Sequence, residues 1–156
     1  STGAELVVGE DLVGGLVADD QVLLATTATG RLLVFDPATG AHRRTIELED
    51  LPIDRPRLGA GFADIALGKS IVRVDLARGA VALRWPCASP VAAPLAVQGT
   101  LWVNCDPSSL VAFDLGRPGP LHKTPVTNAP LAGSPLLTEF GIAVLSRDGS
   151  LTLFDP

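Results

Sequence analysis

Short apolar runs recur along the chain, each cut off by turn-forming residues. Arg31-Leu-Leu-Val-Phe-Asp36, Ser70-Ile-Val-Arg-Val-Asp75, Ser109-Leu-Val-Ala-Phe-Asp114 and Ser150-Leu-Thr-Leu-Phe-Asp155 share one form, a polar or small residue, an apolar-rich run and a closing Asp. The closing Asp residues stand 39, 39 and 41 positions apart. Upstream of each run lies another apolar segment, at 22–27, 62–67, 101–105 and 142–146. Turn residues such as Ala28-Thr29-Gly30 and Arg147-Asp148-Gly149 join the two, which predicts β-hairpins, the inner pair of strands b and c. A preceding segment, clearest from Pro94 to Gly99 and from Pro135 to Gly141, supplies strand a. After the Asp come a Gly-bearing turn and an extended stretch, as in Ala41 to Leu48 and Ala80 to Trp85, which supplies strand d.

Four strands in each repeat of this length predict the blades of an all-β propeller, four blades of four antiparallel strands in a single domain spanning residues 1–156. Phe154-Asp155-Pro156 followed by Ser1-Thr2-Gly3 repeats Phe35-Asp-Pro-Ala-Thr-Gly40 with one substitution. The expectation is therefore four whole repeats, cut at the turn between strands c and d. Residues 4–8 are then a detached d strand that completes the last blade, in its own chain or in a partner chain, and removes an open sheet edge.

The turn after each run carries a second pattern. Asp36 with Gly40, Asp75 with Gly79, and Asp155 with Gly3 across the joint keep an Asp-x-x-x-Gly spacing, while the third repeat keeps Ala112 and Asp114 with Gly119 one residue late. Over essentially the whole chain this resembles the pyrroloquinoline-quinone-like repeat family, whose blades carry Ala-x-Asp-x-x-x-Gly-x-x-x-Trp. The family's Trp, which docks neighbouring blades, is replaced by Arg44, Leu83 and Val7, and Trp85 falls two residues beyond its place. The family usually closes rings of seven or eight blades. The resemblance thus implies half of an eight-bladed ring, completed by a second copy as a homodimer or by the remainder of a parent chain, with a self-closed four-bladed monomer as the alternative.

Nearly half of the 156 residues are apolar, aromatics are scarce, and the formal charge is −5. The acidic residues are spread over many turns with no Lys/Arg stripe, which argues against nucleic acid as a partner. No apolar run approaches the roughly eighteen residues of a membrane-spanning helix, so no membrane insertion is expected.

Candidate chemistry is sparse. Asp36, Asp75, Asp114 and Asp155 read as turn residues that accept hydrogen bonds from the following backbone, with Gly40, Gly79 and Gly3 supplying positive φ. Gly68-Lys69-Ser70 matches a relaxed phosphate-loop ending, but an alternating strand follows where a helix is required. His42 and His122 fall on separate outer strands. Cys87 and Cys105 lie where strand a begins and strand b ends on one face of the third blade, which permits a disulfide and, if it forms, favours an extracytoplasmic setting. That face also carries the longest insertion, Glu49 to Gly59, whose Arg55 and Arg57 could clamp an acidic group. With Asp54, Lys69, Asp106 and Arg147 they form the candidate partner-binding rim. No catalytic, cofactor-binding or metal-binding set is expected. The expected function is a non-catalytic scaffold or recognition module for another protein. The alternatives are a fragment of a quinone-dependent dehydrogenase propeller and a small-ligand or glycan sensor.

Overall fold

The computed structural model describes residues 8–90, 92–117, 120–126 and 129–155. Among them lie fifteen strands in four antiparallel sheets, and no helix. The first sheet is β1 (Leu12–Ala18), β2 (Leu23–Thr27), β3 (Arg31–Phe35) and β4 (His42–Glu47). The second is β5 (Arg57–Gly59), β6 (Phe62–Ala66), β7 (Ser70–Asp75) and β8 (Ala80–Pro86). The third is β9 (Leu95–Val97), β10 (Thr100–Asp106), β11 (Ser109–Asp114) and β12 (Pro120–Pro125). The fourth is β13 (Leu136–Thr138), β14 (Gly141–Leu145) and β15 (Leu151–Phe154). Each is a meander in chain order, and together they form a partial propeller.

The central hairpins are where alternation and turn chemistry place them. β7 opens directly at Ser70, so Gly68-Lys69 is a hairpin turn. His42 and His122 both lie on outer strands, β4 and β12. Gly3, Gly119 and residues 4–7 of the expected detached strand lie outside the described residues. Val8, at its end, packs against Ala25, Leu33 and Phe35 of the first sheet.

The Glu49 to Gly59 insertion needs correcting. Its last three residues form β5, the inner strand of the second sheet. Its middle is pinned to the end of β6, where the Ile53 amide donates to the Ala66 carbonyl at 3.0 Å and Gly68 N to Leu51 O at 3.0 Å. The fourth sheet repeats this device, with Ala132 N on Leu145 O at 2.8 Å. The segment is an anchored crossover, because backbone amides on the way to an inner strand need partners as much as those within it.

Apolar packing joins each sheet to the next. Leu24, Leu32, Val34 and Ile46 meet Ala63, Ile65, Val72 and Val74 at the first junction. Ile71 and Trp85 meet Leu101, Val103, Val111 and Phe113 at the second, and Trp102, Leu110 and Ala112 meet Ile142 and Val144 at the third. Trp85 is fully buried, and its Nε1 donates to the Arg117 carbonyl at 2.9 Å in the turn of the following sheet. Arg44, which stands at the family's Trp position, does the same one sheet earlier, donating from Nη1 to the Ala77 carbonyl at 3.2 Å. A Cβ on Gly79, whose φ is +69°, would lie 2.0 Å from that Nη1, so the turn glycine also makes room for the docking side chain. Arg44 and Trp85 thus each dock on a turn of the next sheet.

Three of the turn Asp carboxylates accept from backbone amides of their own turns. Asp36 Oδ1 accepts from Ala38 N and Thr39 N at 2.9 and 2.8 Å, Asp75 Oδ1 from Arg78 N at 2.9 Å, and Asp114 Oδ1 from Gly116 N at 2.7 Å. Cys87 and Cys105 are joined by a disulfide with Cα atoms 4.8 Å apart, and Ser89 N donates to Cys105 O beside it.

Cys87→Ser with Cys105→Ser should lower the unfolding free energy by about 3 kcal/mol in urea melts, the chain-entropy value for a loop of this size. The Thr39 amide, followed by the Arg43 guanidinium, lowers the Asp36 carboxyl from 3.8 to about 2. A lowered carboxyl stabilises the fold above its unfolded value, and that contribution is lost as pH falls through the folded value. The stability gap between the protein and Asp36→Asn should therefore be constant above about pH 5 and close as pH falls from about 4 to about 2, read by thermal melts.

Candidate functional site

A buried proline stands before three of the four inner strands, Pro56, Pro94 and Pro135. Proline is tolerated at the first position of a strand because its missing N–H breaks no ladder bond. These lead-ins, with the end of β1, converge on a cavity of about 460 Å³ lined by Val17, Arg55, Arg57, Pro94, Ser134 and Leu136 among others. Every sheet contributes to it, through an inner strand or the segment leading into one.

Backbone contacts fix the lead-ins. Gly14 in β1 adopts φ +74° at a bulge, and a Cβ there would sit 1.9 Å from the Arg55 backbone nitrogen, so the first two sheets touch main chain to main chain. Asp54 Oδ2 accepts from Ala93 N at 3.0 Å and ties the second lead-in to the third. The amide of the buried Asn104 donates to Gly133 O and ties the third sheet to the fourth lead-in.

Arg57 is half-buried and stands between this cavity and a second of about 310 Å³ that also reaches Phe62, Asp64 and Arg73. Its Nη2 donates to Ala96 O on β9 at 2.9 Å, while its Nη1 is buried with no hydrogen-bond partner. Asp64 does not neutralise it directly. Both Asp64 oxygens are held by Arg73, from Nε and Nη2 at 2.7 Å each, and the Arg73 guanidinium lies 5.2 Å from the Phe62 ring centroid and 5.9 Å from that of Trp85. Burial pushes the Arg57 guanidinium below its ordinary value, Asp64 partly offsets this, and Arg73 adds to it. Arg55 is exposed and makes no ion pair with a described residue.

The expected rim thus divides. Asp54, Arg55 and Arg57 meet at the axial cavity, with Asp54 as a strut and the two arginines as the walls. Lys69 lines a separate cavity of about 430 Å³ with Glu49, Asp50 and Arg84, where Arg84 already pairs with Glu49 at 3.0 Å. Asp106 caps its own hairpin turn through Ser108 N at 3.0 Å, and neither it nor Arg147 lines either cavity. Sequence reasoning missed Asp64 and Arg73. The available signal was Arg73 in the register filled by Val34, Ala112 and Leu153 in the other repeats, with Asp64 directly across the hairpin.

No family model matches the chain, and no curated protein matches it in sequence. Solved structures do match. BamB from Moraxella catarrhalis superposes with a TM-score of 0.82 at 23% identity over 95% of this chain and 48% of its own. The computationally designed Ika4 protein matches end to end, with a TM-score of 0.81 at 10% identity over 99% of both chains. The designed Ika8 protein matches with a TM-score of 0.75 at 10% identity over 90% of this chain and 44% of its own. At these identities the likeness establishes the propeller fold. The chain spans about half the length of BamB and of Ika8.

Arg73→Met should destabilise the fold by about 3–5 kcal/mol in urea melts, because it leaves the Asp64 carboxylate buried and unpaired. Adding Asp64→Asn to Arg73→Met should recover most of that loss; a double variant no more stable than the single would show that packing on Phe62 and Trp85 carries the effect.

Proposed function

We propose that the chain is a non-catalytic module of pyrroloquinoline-quinone-like repeats that is completed into an eight-bladed ring by a second copy and presents the lead-in face to another protein. One repeat position carries this reading. Leu32, Ile71 and Leu110 stand four residues before their closing Asp and are fully buried against the next sheet, whereas Leu151 at the same position is 63% exposed. Leu136, Leu145 and Leu153 share that face of the fourth sheet through their cross-strand pairings, and each is at least 49% exposed. A sheet face built like three packed junctions and left open calls for a fourth junction. At the other end, Leu16 is exposed beside the face formed by Ala25, Leu33 and Phe35.

Val8 packs on that first-sheet face, as the ends of β4 and β8 pack on the sheets that follow them. In a dimer of half-rings, residues 4–8 would then complete the fourth sheet of the partner, and each copy would close the other. In this reading Asp54, Arg55 and Arg57 at the axial cavity, with Lys69, Asp106 and Arg147 outside it, are the residues offered to the partner. The disulfide supports an extracytoplasmic setting, since such bonds persist where thiols are not kept reduced.

Light scattering across a concentration series tests ring closure. The expected species has twice the 16.1 kDa chain mass, and Leu151→Asp should shift it to the monomer. A monomer at every concentration would overturn closure by a second copy and favour further blades in a longer parent chain.

A further inference from the structure

We propose that Arg55 and Arg57 form a binding site for a carboxylate carried on an apolar stem, such as an acidic side chain of a peptide partner, in the axial cavity where the inner strands begin. The inference goes beyond ring closure, because every residue it uses lies in one chain.

Charge is the first ground. Arg57 and Arg73, both half-buried, share one buried carboxylate, Asp64, whose two oxygens both accept from Arg73. Asp64 acts on Arg57 only through space, the set keeps one net positive charge, and the buried Arg57 Nη1 has no hydrogen-bond partner. An unpaired buried polar atom costs free energy, and Arg57 also brings its positive charge to the cavity wall. Arg55 brings a second cation to the same cavity and is not engaged by any described acid.

Shape and lining select the ligand. Val17, Pro94 and Leu136 offer apolar walls, with Ser134 as the one hydroxyl among the lining residues. Two planar guanidinium groups match the paired oxygens of a carboxylate, and the apolar walls suit a hydrocarbon stem better than a phosphate, which exposes charged oxygens all round. One donor is held by its side chain and the other by its backbone. Arg57 is fixed to Ala96 O, and the Gly14 contact and the Asp54 strut set the backbone from which Arg55 projects. A site whose donors are already ordered gives up less entropy on binding.

Calorimetric titration of the intact protein at low salt tests the site with three probes: acetyl-Leu-Glu-Leu-amide, its Gln counterpart and glutarate. The Glu peptide should bind saturably and the Gln peptide at least about tenfold more weakly, the size of one charge-assisted hydrogen bond. Arg55→Gln should weaken the Glu peptide about tenfold and leave the melting temperature unchanged, since that exposed side chain makes no ion pair with a described residue. Arg57→Gln should abolish binding; because it also removes the bond to Ala96, Arg55→Gln is the deciding variant. Glutarate weaker than the Glu peptide identifies a partner's side chain as the source, whereas glutarate equal or tighter overturns the peptide and assigns the site to a free acid. Equal binding of the Glu and Gln peptides, or binding insensitive to Arg55→Gln, overturns the site. Failure to dimerise leaves it standing, so the two proposals fail separately.

Discussion

A small antiparallel sheet with apolar side chains on both faces needs another sheet against each face, because exposed apolar surface costs roughly 25 cal/mol per Å². In this chain that requirement is met three times in succession, and most other features follow from it. Sheets that stack face to face bring their first strands together at one line, so Pro56, Pro94 and Pro135 arrive at a common cavity without any direct sequence linkage between them. The same stacking brings β4 and β8 over the turn of the next sheet, where Arg44 and Trp85 find carbonyl partners. It also leaves the fourth sheet with a leucine face that repeats the chemistry of three packed ones and has no described neighbour.

Among the described residues, a buried carboxylate enters this apolar framework at one place. The second repeat puts Arg73 where the other repeats carry Val, Ala or Leu, and Asp64 across the hairpin makes the substitution tolerable by accepting from two of its nitrogens. Phe62 and Trp85 flank the guanidinium, so the pair is covered as well as neutralised. Arg57 then lies near a carboxylate whose two oxygens already accept from Arg73, and acts on it only through space. A buried ion pair is a poor source of stability, since desolvation offsets most of its attraction. What this one does is engage both oxygens of Asp64, so that Arg57 beside the cavity makes no hydrogen bond to it.

Repeat spacing in the sequence determined the strand hairpins, the meander order and the use of Asp36, Asp75 and Asp114 as turn residues, because strand alternation and turn capping are settled by residues close in sequence. The sequence also showed Cys87 and Cys105 on one face of one repeat, but left the bond between them open, since bonding depends on the distance between two strands. It read Glu49 to Gly59 as a loop, because three residues, Arg57 to Gly59, are too few to show alternation; only pairing with Phe62 to Asp64 makes them a strand. Tertiary structure alone decided that Arg57 lacks a carboxylate while Arg73 has one, that Gly79 clears space for Arg44, and that Leu151 is open where Leu110 is closed. Each of those depends on which sheet stands next, and repeat positions that look alike in sequence differ physically in what lies across the junction.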